Sequence, residues 1–91
     1  MDIKKQEELL EMAKFYFLNS RFDEAITEFK KVLKINPLNA DVYCNLGLIY
    51  ENRKQRDEAK KMYEKCLEID KNNKVAREHI NKLIGFNDEQ D

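Results

Sequence analysis

A chain of 91 residues allows one small domain and leaves no room for two of ordinary size. At 42% apolar and 38% charged, with two glycines and one proline, it is rich in helix formers and poor in turn punctuation, which predicts an all-α fold. Seventeen basic residues interspersed with eighteen acidic ones give a net charge of −1, without the basic excess that a nucleic-acid surface requires.

The N-terminus, MDIKKQEELLEM, is acidic and amphipathic and lacks the basic region and apolar block of a secretory signal. Leu9, Met12, Ala13 and Tyr16 then mark one stripe of a first helix. A short polar break at Asn19-Ser20-Arg21 leads to a second, in which Phe22, Ala25, Ile26, Phe29, Val32 and Leu33 recur at helical spacing. Pro37 ends that helix, because its ring forces Asn36 out of the α region; Asn39 is the expected N-cap of the next, with Asp41 in its first turn. Val42, Tyr43, Leu46, Ile49 and Tyr50 mark the third helix, and Asn52-Arg53-Lys54-Gln55 the next break. Ala59, Met62, Tyr63, Cys66 and Leu67 mark the fourth. After the turn Asp70-Lys71-Asn72-Asn73, a fifth runs from about residue 74 to 84 with Ala76, Ile80, Leu83 and Ile84 on one side. Gly85 is the expected C-cap, and FNDEQD an acidic tail that frays. No apolar run approaches the roughly 20 residues needed to cross a bilayer. Cys44 and Cys66 lie inside helical patterns without paired spacing and read as buried free thiols, so a soluble, cytoplasmic protein is expected.

The second and fourth helices echo each other. RFDEAITEFKKVLKIN, residues 21–36, aligns with RDEAKKMYEKCLEID, residues 56–70, at a spacing of 34. That shift pairs Tyr16 with Tyr50, Asp23 with Asp57, Ala25 with Ala59, Leu33 with Leu67 and Asn39 with Asn73. Conservative pairs fill the gaps: Met12 with Leu46, Phe15 with Ile49, Phe29 with Tyr63, Val32 with Cys66. Similarity at positions suited to burial is what duplicated packing requires. Short connections force antiparallel neighbours, so each unit is a helical hairpin, and a copy alongside buries the apolar face that one hairpin leaves exposed. Ala13 and Gly47, with Ala25 and Ala59 opposite, sit where the paired helices come closest.

In the second unit Tyr43, Leu46-Gly47, Tyr50, Ala59, Tyr63 and Cys66, with Lys71 in place of a proline, form a signature that resembles the tetratricopeptide repeat. In the first the matching residues are Leu9, Met12-Ala13, Tyr16, Ala25, Phe29, Val32 and Pro37. The resemblance implies a right-handed α-α superhelix over residues 1–84: repeats at 6–39 and 40–73, a capping helix at 74–84, and a flexible acidic tail at 85–91. It also implies a protein–protein interaction module whose concave groove, lined by the first helix of each hairpin, receives a peptide or partner helix. Carried over position by position, the groove residues are Leu10, Lys14 and Phe17, then Cys44, Asn45, Leu48 and Asn52, then Val75, His79 and Lys82. Leu10, Phe17 and Leu48 are not needed by the helix stripes and serve either as anchors for a ligand or as cover for the array's edges. One subgroup of the family clamps acidic chaperone tails with lysines, asparagines and an arginine; the corresponding Leu10, Lys14, Asn45, Val75 and His79 agree only at Asn45, so that mode is not expected.

The alternative is a structural assembly unit. Two repeats and a cap fall short of the usual three or so, and exposed repeat faces would then pair into weak homodimers. No nucleophile–base arrangement, phosphate loop or metal-ligand spacing is present, and His79 with either cysteine makes no recognisable ligand set. No enzymatic activity, cofactor, metal, nucleic acid or membrane is expected.

Overall fold

Five α-helices follow one another in the computed structural model, which describes residues 2–90 and the side chains of residues 2–85: α1 (Ile3–Leu18), α2 (Phe22–Ile35), α3 (Ala40–Asn52), α4 (Arg56–Ile69) and α5 (Lys74–Gln90). Short polar side chains start three of them. Asp2 Oδ1 accepts from the Lys5 N–H at 2.9 Å, Asn39 Oδ1 from Val42 at 3.2 Å and Asn73 Oδ1 from Ala76 at 2.9 Å, each satisfying an amide that the helix itself leaves unpaired.

The hairpin turns are built alike. Ser20 (φ 59°) and Lys54 (φ 66°) take the left-handed conformation. The Arg21 N–H then reaches the Tyr16 carbonyl at 2.8 Å and the Gln55 N–H the Tyr50 carbonyl at 2.9 Å, closing each helix by the same six-residue loop. Chain direction reverses, α1 lies against α2 and α3 against α4, and α5 rests on α4.

Two apolar cores result, and α3 belongs to both. Leu9 and Ala13 of α1 and Ala25, Phe29 and Val32 of α2 meet Val42, Leu46 and Ile49 of α3 in the first. Cys44 of α3 joins Ala59, Tyr63 and Cys66 of α4 and Ala76 and Leu83 of α5 in the second. At the junction Gln6 Oε1 accepts from Asn36 Nδ2 and Asn39 Nδ2 at 3.2 and 3.3 Å, and Tyr43 donates its hydroxyl to the Pro37 carbonyl at 2.9 Å.

Equivalent positions of the two repeats differ in burial for a physical reason. Leu46 and Ile49 are 2% and 0% exposed because α1 and α2 cover them, whereas their counterparts Met12 and Phe15 are 45% and 60% exposed because among the described residues no helix packs over that side of α1. Met12, expected on the buried stripe, is therefore on the surface. The expectation at the other end also fails. Gly85 is not a C-cap: it lies inside α5, which continues to Gln90 in place of the expected tail, and no glycine has positive φ. A glycine within a helix costs only about 1 kcal/mol relative to alanine, and no proline follows to stop the chain. Asp91 lies outside the described residues.

The tightest approach is at Gly47. A Cβ there would sit 2.5, 2.7 and 2.9 Å from three carbons of the buried Tyr63 ring. Gly47→Ala is expected to destabilise the protein by about 1–3 kcal/mol through overpacking, against a helix-propensity gain of about 1 kcal/mol. Urea unfolding measures this, and an unchanged midpoint would contradict the close packing of α3 on α4.

Candidate functional site

Because hairpin helices alternate in direction, α1, α3 and α5 run the same way and present one shared face. On α1 the positions Lys14 and Leu18 are one turn apart, and on α3 Asn45, Leu48 and Asn52 follow at helical spacing, so each set forms a single stripe. Three hollows lie along this face. Between α1 and α3, Lys14, Phe17, Leu18 and Asn45 surround one of about 230 Å³ that reaches Phe29. Between α3 and α5, Lys14, Asp41, Cys44, Asn45, Leu48, Asn73 and Val75 line one of about 310 Å³, and Leu48, Glu51, Asn52 and His79 one of about 250 Å³. Small-molecule pockets run from roughly 300 to 1,000 Å³. Hollows at or below that limit fit single side chains of a longer ligand better than a whole cofactor.

The residues expected in a groove thus divide. Lys14, Phe17, Cys44, Asn45, Leu48, Asn52, Val75 and His79 line these three hollows. Lys82 lies with Glu51, Lys54, Arg56 and Leu83 around a further hollow at the α3–α4 turn. Leu10 is half-buried against the first core, as is Phe17, whose ring meets Phe22 edge-on at 6.1 Å. Leu48 is half-buried against the second core. Val75 is 43% exposed.

A polar network at the face was not legible in the motif. Tyr63, fully buried, donates its hydroxyl to Glu51 Oε1 at 2.7 Å, and the same oxygen accepts from His79 Nδ1 at 2.8 Å. The His79 ring also lies 5.5 Å from the Tyr63 ring. His79, named from sequence as a groove residue, is half-buried and ties α5 to α3 and α4. A signal for this existed in the repeat comparison: Phe17 and Phe29 of the first repeat stand where the second has Glu51 and Tyr63. An apolar pair has been exchanged for a donor and its acceptor. Nothing local in sequence joins Glu51 to His79.

The two cysteines are free, buried thiols. Burial pushes the Cys66 thiol up to about 12, with the nearby Cys44 thiol and the Asp70 and Asp41 carboxylates adding to the shift. The Cys44 thiol is raised too, first by burial and then by the Asp41 charge, against a lowering hydrogen bond with Cys66. Burial, followed by the bond to Glu51, raises the Tyr63 phenol. Thiols so protected are poor nucleophiles at neutral pH. Among the described residues no group of three or more His, Cys, Asp or Glu could hold a metal, and no helix is long and apolar enough to cross a membrane.

Comparison with known proteins places these features. Family models described as TPR repeat and tetratricopeptide repeat match residues 13–53 and 40–73. Among curated proteins the chain is 33% identical over 63 residues to heat shock protein STI1 of Saccharomyces cerevisiae, covering 69% of this chain and 11% of that one. It is 36% identical over 62 residues to the chloroplastic tetratricopeptide repeat domain-containing protein PYG7 of Arabidopsis thaliana (68% and 21%). It is 30% identical over 69 residues to a protein O-mannosyl-transferase of Caenorhabditis elegans (76% and 10%). The chain thus spans about a tenth to a fifth of the length of the curated relatives it matches. In three dimensions it resembles the first TPR of Spaghetti (RPAP3), described as bound to the HSP90 peptide SRMEEVD, with a TM-score of 0.55, 24% identity, and coverage of 93% of this chain and 94% of that one. That likeness is one of fold.

Raised folded-state values for Cys66 and Tyr63 mean that the unfolded chain releases these protons first. Stability they support is complete below about pH 9 and declines as pH rises from there toward 12. Urea midpoints measured from neutral pH upward should fall above pH 9, and fall less in Cys66→Ala and Tyr63→Phe. Equal alkaline slopes in all three proteins would contradict the burial of these groups.

Proposed function

Because the chain belongs to the tetratricopeptide repeat family, we propose that it is an interaction module holding a peptide segment of a partner protein on the face shared by α1, α3 and α5. The observation that carries this reading is the row of three side-chain-sized hollows on one continuous face, floored by Phe29, Cys44 and Leu48 and edged by Lys14, Asn45 and Asn52. The floor residues are tethered to the two cores, so the face is formed before any ligand arrives, and preorganisation lowers the cost of binding. Two of the similar proteins are consistent with it: one carries a heat-shock name, and the structural neighbour is described with a bound peptide. The activity in the transferase's name belongs to a protein of which this chain spans 10% and forms no part of the proposal.

Leu48 borders two of the hollows, so Leu48→Glu places a charge in both. Partner capture by that variant should drop at least tenfold, the equivalent of about 1.4 kcal/mol, while its helical content stays unchanged. Undiminished capture would remove the face from consideration.

Self-association through an exposed repeat face is the second reading, favoured by a specific observation. Met12 and Phe15 stand uncovered where Leu46 and Ile49 are sealed by a neighbouring hairpin, and a second copy seated against them would bury the same surface. Sedimentation across a concentration series tests it: a dimer that Phe15→Glu dissociates supports this reading, and a monomer at all concentrations dismisses it.

A further inference from the structure

We infer, resting on the reading that the α1–α3–α5 face takes a peptide, that the hollow at His79 seats a tyrosine of that peptide, its phenol donating to the imidazole. The inference comes from the hydrogen-bond polarity of the site. Glu51 Oε1 accepts from the Tyr63 hydroxyl at 2.7 Å and lies 2.8 Å from His79 Nδ1. A carboxylate oxygen has no proton to give, so Nδ1 carries the hydrogen of this second bond. The neutral ring therefore keeps its lone pair on Nε2, the opposite nitrogen. Among the described residues Nε2 has no hydrogen-bond partner, and it is not sealed from solvent. The second oxygen of Glu51 is in the same position. Two acceptors thus stand together without a donor between them.

The lining narrows the choice of donor. Leu48, half-buried against the second core, supplies an apolar wall, Asn52 an amide able to give or accept, and the hollow measures about 250 Å³. A serine or threonine would leave that wall uncovered, whereas a tyrosine lays its ring there and carries a hydroxyl at its tip. Charge does not select an ion. Glu51 and Glu78, the latter next to His79 along α5, are set against Lys54, Arg56 and Lys82, which share an adjoining hollow with Glu51. An ammonium meets those cations; a carboxylate meets Glu51 and a ring nitrogen with no proton to offer. A neutral donor meets neither penalty. In the first repeat the position of Glu51 is held by Phe17, whose hollow is walled by Leu18 and Phe29. The acceptor pair therefore belongs to the second repeat alone and fixes where along the face the tyrosine sits.

The test uses short synthetic peptides with leucines at helical spacing around one central residue: tyrosine, phenylalanine or O-methyl-tyrosine, the last keeping the oxygen of tyrosine without its proton. Lysine and glutamate at that residue are the ionic probes. At about pH 8, where an ordinary imidazole is neutral, titration gives the affinities and amide shifts locate each peptide. Ring-nitrogen spectra of His79 report which nitrogen is protonated. The expected result is that the tyrosine peptide binds about threefold to tenfold tighter than its phenylalanine and O-methyl counterparts, the yield of one net hydrogen bond. It should also move the Nε2 resonance in the sense of an accepted hydrogen bond. His79→Leu should close the gap; that variant also loses the bond to Glu51, so if it fails to fold the Nε2 resonance of the unaltered protein decides. Equal affinities for tyrosine and phenylalanine, with amide shifts on α3 and α5, would overturn the tyrosine inference and leave peptide docking standing. A proton on Nε2 in the free protein, or tighter binding of the lysine or glutamate peptide, would overturn it as well. Amide shifts on none of α1, α3 and α5 with any probe would end both the docking reading and the inference built on it.

Discussion

Burial of α3 between two helical layers is the constraint on which the remaining structure depends. Val42, Leu46 and Ile49 are sealed by α1 and α2, and Cys44 points into the layer made by α4 and α5. Each fully buried aliphatic side chain contributes about 1.5–3 kcal/mol. An ion pair that spans the repeats, Arg53 with Asp23 at 2.7 Å, has an Asp side chain 85% exposed and belongs to a class worth about 0–1 kcal/mol. Apolar burial therefore sets how the hairpins stack, and the surface charges are left free for other uses.

Small residues make that stacking possible. Ala13, Ala25 and Ala59 are fully buried, and Gly47 lets the Tyr63 ring lie against the backbone of α3. With the ring so placed, its hydroxyl emerges beside Glu51 at the shared face. Where the first repeat has two apolar residues, Phe17 and Phe29, the second thus has a hydrogen-bonded pair, Glu51 and Tyr63. The same carboxylate oxygen then receives His79, so α5 is held by a directional bond as well as by Ala76 and Leu83.

Much of this fold was legible in the residues. Helical spacing, Pro37, the Asn39 cap and the turn at residues 70–73 placed five helices, and the 34-residue echo placed two hairpins side by side. Positions lining the hollows could also be named, because period and repeat offset together assign a residue to a face. Turn chemistry was less readable. The left-handed residues are Ser20 and Lys54, which carry a side-chain penalty there, while Gly85, the residue suited to that role, continues a helix.

The amino-acid order alone settles local conformation and which side of each helix is apolar, since both depend on neighbours within a few residues of one another. It could not distinguish Met12 from Leu46 or Phe15 from Ile49, which share a pattern and differ only in whether another hairpin covers them. Nor could it join Glu51 to His79, 28 positions away. Exposure and long-range hydrogen bonds belong to the packed assembly: they exist only once separate helices have been brought within atomic reach, and no spacing along the chain encodes that distance.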